Sequence, residues 1–372
     1  MAAKNIYTSE IIEIVDFFGV SKSDASLATS FSFICYAVCQ LLFVKIIGKI
    51  DVKKYVLIVS PISAALFVLV AFCTKIWQAW IIMGIEGAIL AGVFPACLLV
   101  ISEYLPDELI MTANKAMGAA FALSFTLDYL FSSLFIRIAD WRMGFYVFPA
   151  LFLLSALFFC FTLSKCERQK REKREENESK KEHGKKVFVF LFIAGMLGLL
   201  VNMIYYAVSN WVPNLLNEVF GLTPAMSVFV SLFVPVTGAV GCTVCLMISK
   251  KYGFRRATIV FSAVSCVLCI FLSFVYTAVF AVTLALVILL LFIVRGVSHT
   301  VGFQVPVEAR NVTSPASAAT VINIFGCVGA AAGPVIFGAL ADSYDYAVFF
   351  AAAAVCAAVT TAFTVFGRKT LS

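Results

Sequence analysis

Four ionisable side chains sit inside long apolar runs: Glu86, Asp128, Arg295 and His299. A charge in the middle of a hydrocarbon layer costs about 2.5–3.5 kcal/mol on insertion scales, so each of the four needs a polar cavity or a partner. Arg295 and His299 are four residues apart and share one face of a helix. Two cationic groups on one face suit an anionic ligand. The guanidinium brings a fixed charge and a fork that fits carboxylate or phosphate. The imidazole titrates near neutrality and suits proton carriage. The competing reading pairs Arg295 with Glu86 or Asp128 and gives it an architectural role.

The elements that must position these groups are membrane-spanning helices. Hydrophobic residues make up 62% of the chain and charged residues 13%, well outside the balance of a soluble domain. Charge-poor runs long enough to cross about 30 Å of hydrocarbon as helices recur along the whole length. Eleven crossings are expected, near 24–47, 55–73, 77–101, 113–136, 143–164, 188–210, 224–248, 257–276, 278–302, 315–340 and 346–366. The fold class is all-α and polytopic; the short alternating segments of a β-barrel are not seen. The net charge of +7 does not point to nucleic acid, because the basic residues cluster at the ends of apolar runs. The first ten residues carry no apolar core of a signal peptide.

The 12 cysteines lie nearly all inside apolar runs. Cys242 and Cys245, and Cys266 and Cys269, have CxxC spacing, which reads as packing by small soft side chains rather than a metal or redox pair. Nothing calls for a metal or a cofactor. The triplets Asn177-Glu-Ser and Asn311-Val-Thr fall on the expected cytoplasmic side and read as chance.

One stretch is dense in both signs of charge and has no apolar face. It reads as a solvated linker, 166–187, between an N-terminal bundle of five crossings (1–165) and a C-terminal bundle of six (188–372). Lysines and arginines settle the orientation. With the linker cytoplasmic, Lys45, Lys49, Lys53, Lys54, Lys115, Lys250, Lys251, Arg255, Arg256, Arg310, Arg368 and Lys369 share its side. Only Lys4, Lys22, Lys75, Arg137 and Arg142 face out. The C-terminus is then inside.

The chain also repeats itself at an offset of 202. Phe18-Gly19-Val20-Ser21 matches Phe220-Gly221-Leu222-Thr223, Lys49 and Lys53-Lys54 match Lys251 and Arg255-Arg256, and Ala139-Asp140 matches Ala341-Asp342. Partners lie an even number of crossings apart, so the two halves point the same way, a parallel repeat. The partner of the run at 188–210 falls mostly before Met1. A first helix is therefore expected to be missing, through a start site lying upstream or in a shortened, inactive form.

Two bundles of six, a charged central loop and a basic turn after the second helix of each half resemble the major facilitator superfamily. Its loop GxLxDRxGRR is similar to Val44-Lys45-Ile46-Ile47-Gly48-Lys49-Ile50-Asp51-Val52-Lys53-Lys54, and to Ser249-Lys250-Lys251-Tyr252-Gly253-Phe254-Arg255-Arg256. Gly48 and Lys250 stand where the family's loop is acidic, and Asp51 where it has glycine. Asp140-Trp141-Arg142-Met143-Gly144-Phe145 resembles the GWRWAF start of the sixth helix, and Ser209-Asn210-Trp211-Val212-Pro213 the WLPTYL end of the seventh. Glu103 and Pro106 resemble the family's EWFP loop, with a structural role expected. A GxxxGPxxG-like string at Gly329, Gly333, Pro334 and Gly338 is expected to pack helices closely, with a hinge at Pro334 as the other reading.

The resemblance implies a secondary transporter of a small solute, with substrate near the membrane midplane and alternating access. It places Arg295, His299, Glu86, Asp128, Asn202 and Tyr206 at the cavity as substrate or coupling residues, and leaves Trp211 between cavity and interfacial belt. Lys49, Lys53, Lys54, Lys251, Arg255 and Arg256 become gate or loop residues. The expected partners are the lipid bilayer, a small organic anion and a coupling proton; the expected location is the cell membrane. A carrier of neutral or cationic compounds using Glu86 or Asp128, and a transporter-like sensor, are the alternatives. No nucleophile–base pair or phosphate loop suggests an enzyme.

Overall fold

The computed structural model describes residues 2–46, 50–166, 185–308 and 315–366. Lys49, Arg310, Asn177, Asn311, Arg368, Lys369 and most of the 166–187 linker lie outside them.

The described residues form fifteen α-helices and no strand. In the first half they are α1 (Ala2–Ser9), α2 (Ile11–Phe18), α3 (Lys22–Ile46), α4 (Val52–Val70), α5 (Ile76–Leu90), α6 (Val93–Tyr104), α7 (Asp107–Ile138) and α8 (Gly144–Leu163). In the second they are α9 (Lys185–Phe220), α10 (Pro224–Ser231), α11 (Phe233–Tyr252), α12 (Phe254–Val275), α13 (Phe280–Glu308), α14 (Pro315–Ser343) and α15 (Tyr346–Phe366). Ten helical stretches among them are long and apolar enough to cross a membrane, and α7 covers the expected crossing at 113–136. Their outer faces expose Leu154, Phe158, Met247, Val267 and Phe274, side chains suited to lipid.

The repeat is visible in the backbone. Helices begin at Lys22 and Pro224, at Val52 and Phe254, and at Gly144 and Tyr346, each pair 202 apart. Gly19 and Gly221 close the preceding helices with φ of 60° and 66°, a left-handed stop that glycine adopts without a Cβ penalty. By the same offset α1 and α2 match the last half of α9. Residues 2–18 are therefore no loose tail: Ile6, Tyr7, Ile11, Ile12 and Ile14 are fully buried.

Two expected crossings are broken, for the same reason. Pro95 and Pro235 lack an N–H and crowd the carbonyl four residues back, so the chain is interrupted between α5 and α6 and between α10 and α11. At the first break the Tyr55 hydroxyl donates to the Ile89 carbonyl at 2.8 Å.

Contacts divide the chain into two compact units: Met1–Val20, Leu27–Glu176 and Pro224–Leu232 in the first, and Ser21–Ser26, Asn177–Thr223 and Phe233–Ser372 in the second. The first unit packs α4 on α8 around Val52, Tyr55, Val56, Val59, Ala96, Ala156 and Cys160. In the same unit Arg142 clamps α2: its guanidinium lies 4.4 Å from the Phe17 ring centre and 4.9 Å from that of Trp141, and it donates to the Ala71 carbonyl at 3.1 Å.

The second unit is built on α9 against α14, its most extensive pairing. The glycine string is its contact surface: a Cβ at Gly329 would collide with the Leu199 carbonyl, and one at Gly333 with that of Met203. Pro334 keeps its carbonyl busy, accepting from the Trp211 indole N–H at 2.8 Å. Trp211 is 1% exposed, so it is a packing anchor and belongs to neither a cavity wall nor an interfacial belt. The CxxC pairs are unbridged thiols, and Cys245 packs on Gly296.

Gly329→Ala and Gly333→Ala are expected to destabilise the purified protein by roughly 1–3 kcal/mol through overpacking. Gly302→Ala, with nothing within 4 Å of the new Cβ, is expected to be neutral or to stabilise by about 0.5–1 kcal/mol. Thermal unfolding in detergent ranks the three.

Candidate functional site

Arg295 lies on α13 in the second unit. Its guanidinium carbon sits 4.7 Å from the centre of the Tyr205 ring on α9, a stacking geometry in which the ring's negative face meets the cation. The Tyr206 hydroxyl is within hydrogen-bonding reach of the same guanidinium. Adjacent positions 205 and 206 would point apart on a regular helix, yet both rings converge on one cation, 5.3 Å apart and edge to face. Behind them α11 comes close: the Arg295 Cγ would be 3.3 Å from a Cβ at Gly238, and the Cys242 thiol donates to the Arg295 carbonyl at 3.8 Å. Among the described residues of this unit, no carboxylate lies within 4.0 Å of Arg295.

The polar lining continues along α13 and α9. Asn202 donates to the Gly198 carbonyl at 2.8 Å and accepts from the Ser298 hydroxyl at 3.0 Å. Its amide therefore ties α9 to α13 beside Arg295. His299 is one turn further along α13 and half-buried. Arg295, Tyr206, Asn202 and His299, all singled out in the sequence, thus belong to one neighbourhood. By its sequence Tyr205 is open between cavity and interfacial belt. Ser298 was missed, since no local pattern marks a serine as the partner of an asparagine 96 residues away.

The two carboxylates stand in the first unit. Glu86 on α5 is fully buried and accepts from the Ser32 hydroxyl of α3 at 3.3 Å. The two helices touch there, since a Cβ at Gly87 would meet the Ser32 carbonyl. Asp128 on α7 is fully buried, and neither of its oxygens has a hydrogen bond among the described residues; the Asn5 side chain of α1 lies beside it.

A family model described as Major Facilitator Superfamily matches residues 1–334. The chain belongs to the Major Facilitator Superfamily. It is a multi-pass membrane protein and a secondary transporter of the alternating-access type. No curated protein sequence matches the chain. Among solved structures, a bacterial homologue of the human lysosomal transporter Spinster resembles it in an inward-facing, occupied form, with a TM-score of 0.76, 16% identity and coverage of 99% of this chain and 96% of that one. The inward-facing, unoccupied form of that homologue scores 0.75 at 13% identity, covering 100% and 95%. A variant of the nucleoside transporter NupG scores 0.76 at 15% identity, covering 98% and 96%. At these identities the likeness is one of fold.

The basic turns of this superfamily member are well built. In the first, Asp51 is the N-cap of α4 and accepts from the Lys53 and Lys54 amides at 3.0 and 3.3 Å. The residue standing at the family's glycine thus starts a helix. In the second, Gly253 precedes α12 with φ of 90°. Arg255 then donates to the last carbonyls of α15, Thr364 at 3.1 Å and Val365 at 2.8 Å. Those carbonyls have no partner inside the helix, and a cation there also suits the helix dipole. Lys251 lies against Tyr252, and Lys54 and Arg256 are exposed.

An ion-pair network that the sequence did not disclose sits within the second unit. Lys22, 8% exposed, reaches Glu218 at 2.9 Å and Asp342 at 2.9 Å. Asp342 also accepts from the Lys22 backbone N–H at 2.7 Å, placing an anion at the first turn of α3. The Tyr346 hydroxyl donates to Glu218 at 3.1 Å, and the ammonium lies 5.9 Å from the Tyr346 ring centre. Counting loop charges put Lys22 outside but named no partner, because its partners are about 200 and 320 residues away.

Tyr205→Phe keeps the aromatic face and is expected to leave stability unchanged. Tyr205→Leu removes it and is expected to cost about 0.5–2 kcal/mol, read as a lower unfolding temperature that an added Arg295→Met change largely cancels.

Proposed function

We propose that this transporter carries a small organic anion across the cell membrane, and that Arg295 holds the anion. The observation that carries the reading is a fixed cation inside an apolar span, stacked on Tyr205, within reach of Tyr206 and without a carboxylate partner among the described residues of its own unit. A permanent charge so placed calls for a counter-charge, and a ligand supplies it once per cycle. One guanidinium balances one carboxylate. A dianion would leave net negative charge in the span, so a monocarboxylate is the favoured class. Asn202 and Ser298 offer neutral hydrogen bonds beside it.

Proton coupling runs through Asp128, Glu86 or His299. Asp128 is the best placed of the three, since its carboxyl is buried without a hydrogen bond among the described residues. That same observation supports the second reading, in which Asp128 is the counter-charge of a cationic solute.

Uptake of radiolabelled monocarboxylates by proteoliposomes, against the corresponding neutral amides, tests the choice. Arg295→Gln is expected to weaken carboxylate uptake about 10- to 150-fold, the loss of one charged hydrogen-bonded contact, while Glu86→Gln spares it. Unchanged carboxylate uptake by Arg295→Gln overturns the site, and uptake of amines abolished by Asp128→Asn establishes the second reading.

We further propose that both basic turns, the central linker and the C-terminus face the cytoplasm. Single cysteines at Lys53 and Arg255 are then expected to react with an impermeant maleimide from the same side of sealed vesicles.

A further inference from the structure

Glu10, at the junction of α1 and α2, is fully buried in the first unit, and neither carboxylate oxygen has a hydrogen bond among the described residues. Its surroundings are tight. A Cβ at Gly144, the first residue of α8, would lie 2.6 Å from Ile6 Cδ1 and 3.2 Å from Glu10 Oε1. The Ser132 hydroxyl on α7 stands beside Glu10 and shares a 2.8 Å hydrogen bond with the Ser9 hydroxyl.

The titratable groups around Glu10 are acids and phenols. From α2 it faces Glu13, and from the turn before α8 it faces Asp140. Tyr7 lies one turn back on α1, Asp128 one turn before Ser132 on α7, and Tyr146 is the only titratable group in the first turn of α8. The nearby cation, Arg142, is committed to Asp140 at 3.1 Å and to the two rings that clamp it. An ionised Glu10 would be desolvated and beside two like charges, with the Ser132 hydroxyl alone at hand to offset them.

The repeat shows that the fold itself does not require an acid here. Glu10 corresponds to Val212, which is 2% exposed, and Asp128 to Ala330, 1% exposed. The neighbouring pairs correspond too: Ser9 with Ser132 in one half stands where Trp211 with Pro334 stands in the other. The same place in the repeat is thus packed with a valine inside the unbroken α9 and with a glutamic acid between α1 and α2.

We propose that Glu10 is a proton-binding site of this transporter, holding its proton while α1 is packed on α7 and α8 and giving it up when water reaches the junction. The proposal does not depend on which solute Arg295 binds.

Infrared difference spectroscopy of the purified full chain reads the proton directly. The wild-type minus Glu10→Gln difference is expected to show a protonated-carboxyl band at neutral pH that disappears reversibly on alkalinisation. Glu10→Val, which installs the side chain that the second half carries at Val212, is expected to remain monodisperse and to lack the same band. That variant guards against a fold defect in the glutamine one. Gly144→Ala, whose Cβ crowds Ile6 and Glu10, is expected to admit water and move the loss of the band to lower pH. A purely structural acid would not shift in this way. Wild-type and variant spectra identical in the carboxyl region overturn the proposal, as does a Glu10 band unmoved by both alkaline pH and Gly144→Ala.

Discussion

A guanidinium inside hydrocarbon must be solvated by something, and the position of Arg295 organises much of the second unit around that need. Two tyrosines from α9 turn toward it, and glycines at 238 and 241 let α11 come close behind it. Aromatic faces and phenol oxygens are weak solvents for a cation compared with a carboxylate. They hold the charge without cancelling it, as the proposed anion site requires. Glu86 offers a contrast: its carboxyl group is enclosed between α3 and α5 beside a serine, in a contact closed by Gly87.

The scaffold is nearly symmetric and its polarity is not. Helix starts and glycine stops follow the 202-residue offset closely. Four charged residues break it: Arg295 corresponds to Val93, Glu10 to Val212, Asp128 to Ala330 and Lys22 to Pro224. A repeat supplies two bundles that share one packing solution. The proposed chemistry falls at positions where one copy has an ionisable residue and the other a neutral one. In this chain the acids accumulated in the first half and the embedded arginine in the second.

What was readable in the sequence was whatever depends on composition and spacing. Long apolar runs became helices because backbone groups in lipid must be satisfied within the segment. The glycine string became a helix contact because a missing Cβ permits close approach whatever lies opposite. What depends on the opposite side was not readable. Trp211 could be cavity wall or interfacial belt by its sequence, and instead its indole donates to the Pro334 carbonyl. Lys22 looked like a loop charge until Glu218 and Asp342 were found around it. Residues 2–18 lack a long apolar run, so Glu10 drew no notice, although alignment with Val212 was a usable signal. The breaks before Pro95 and Pro235 were not readable either, since Pro61, Pro149 and Pro334 fall inside similar runs and leave their helices whole.

The make-up of the two units bears on how this chain is synthesised. Ser21–Ser26 is grouped with the second unit and Pro224–Leu232 with the first, and these stretches occupy matching places in the repeat. A ribosome delivers the first bundle well before residue 224. That bundle must therefore wait in the bilayer with α7 lacking α10, its neighbour in the finished unit. Severing the gene in the middle would leave each product short of a piece encoded by the other.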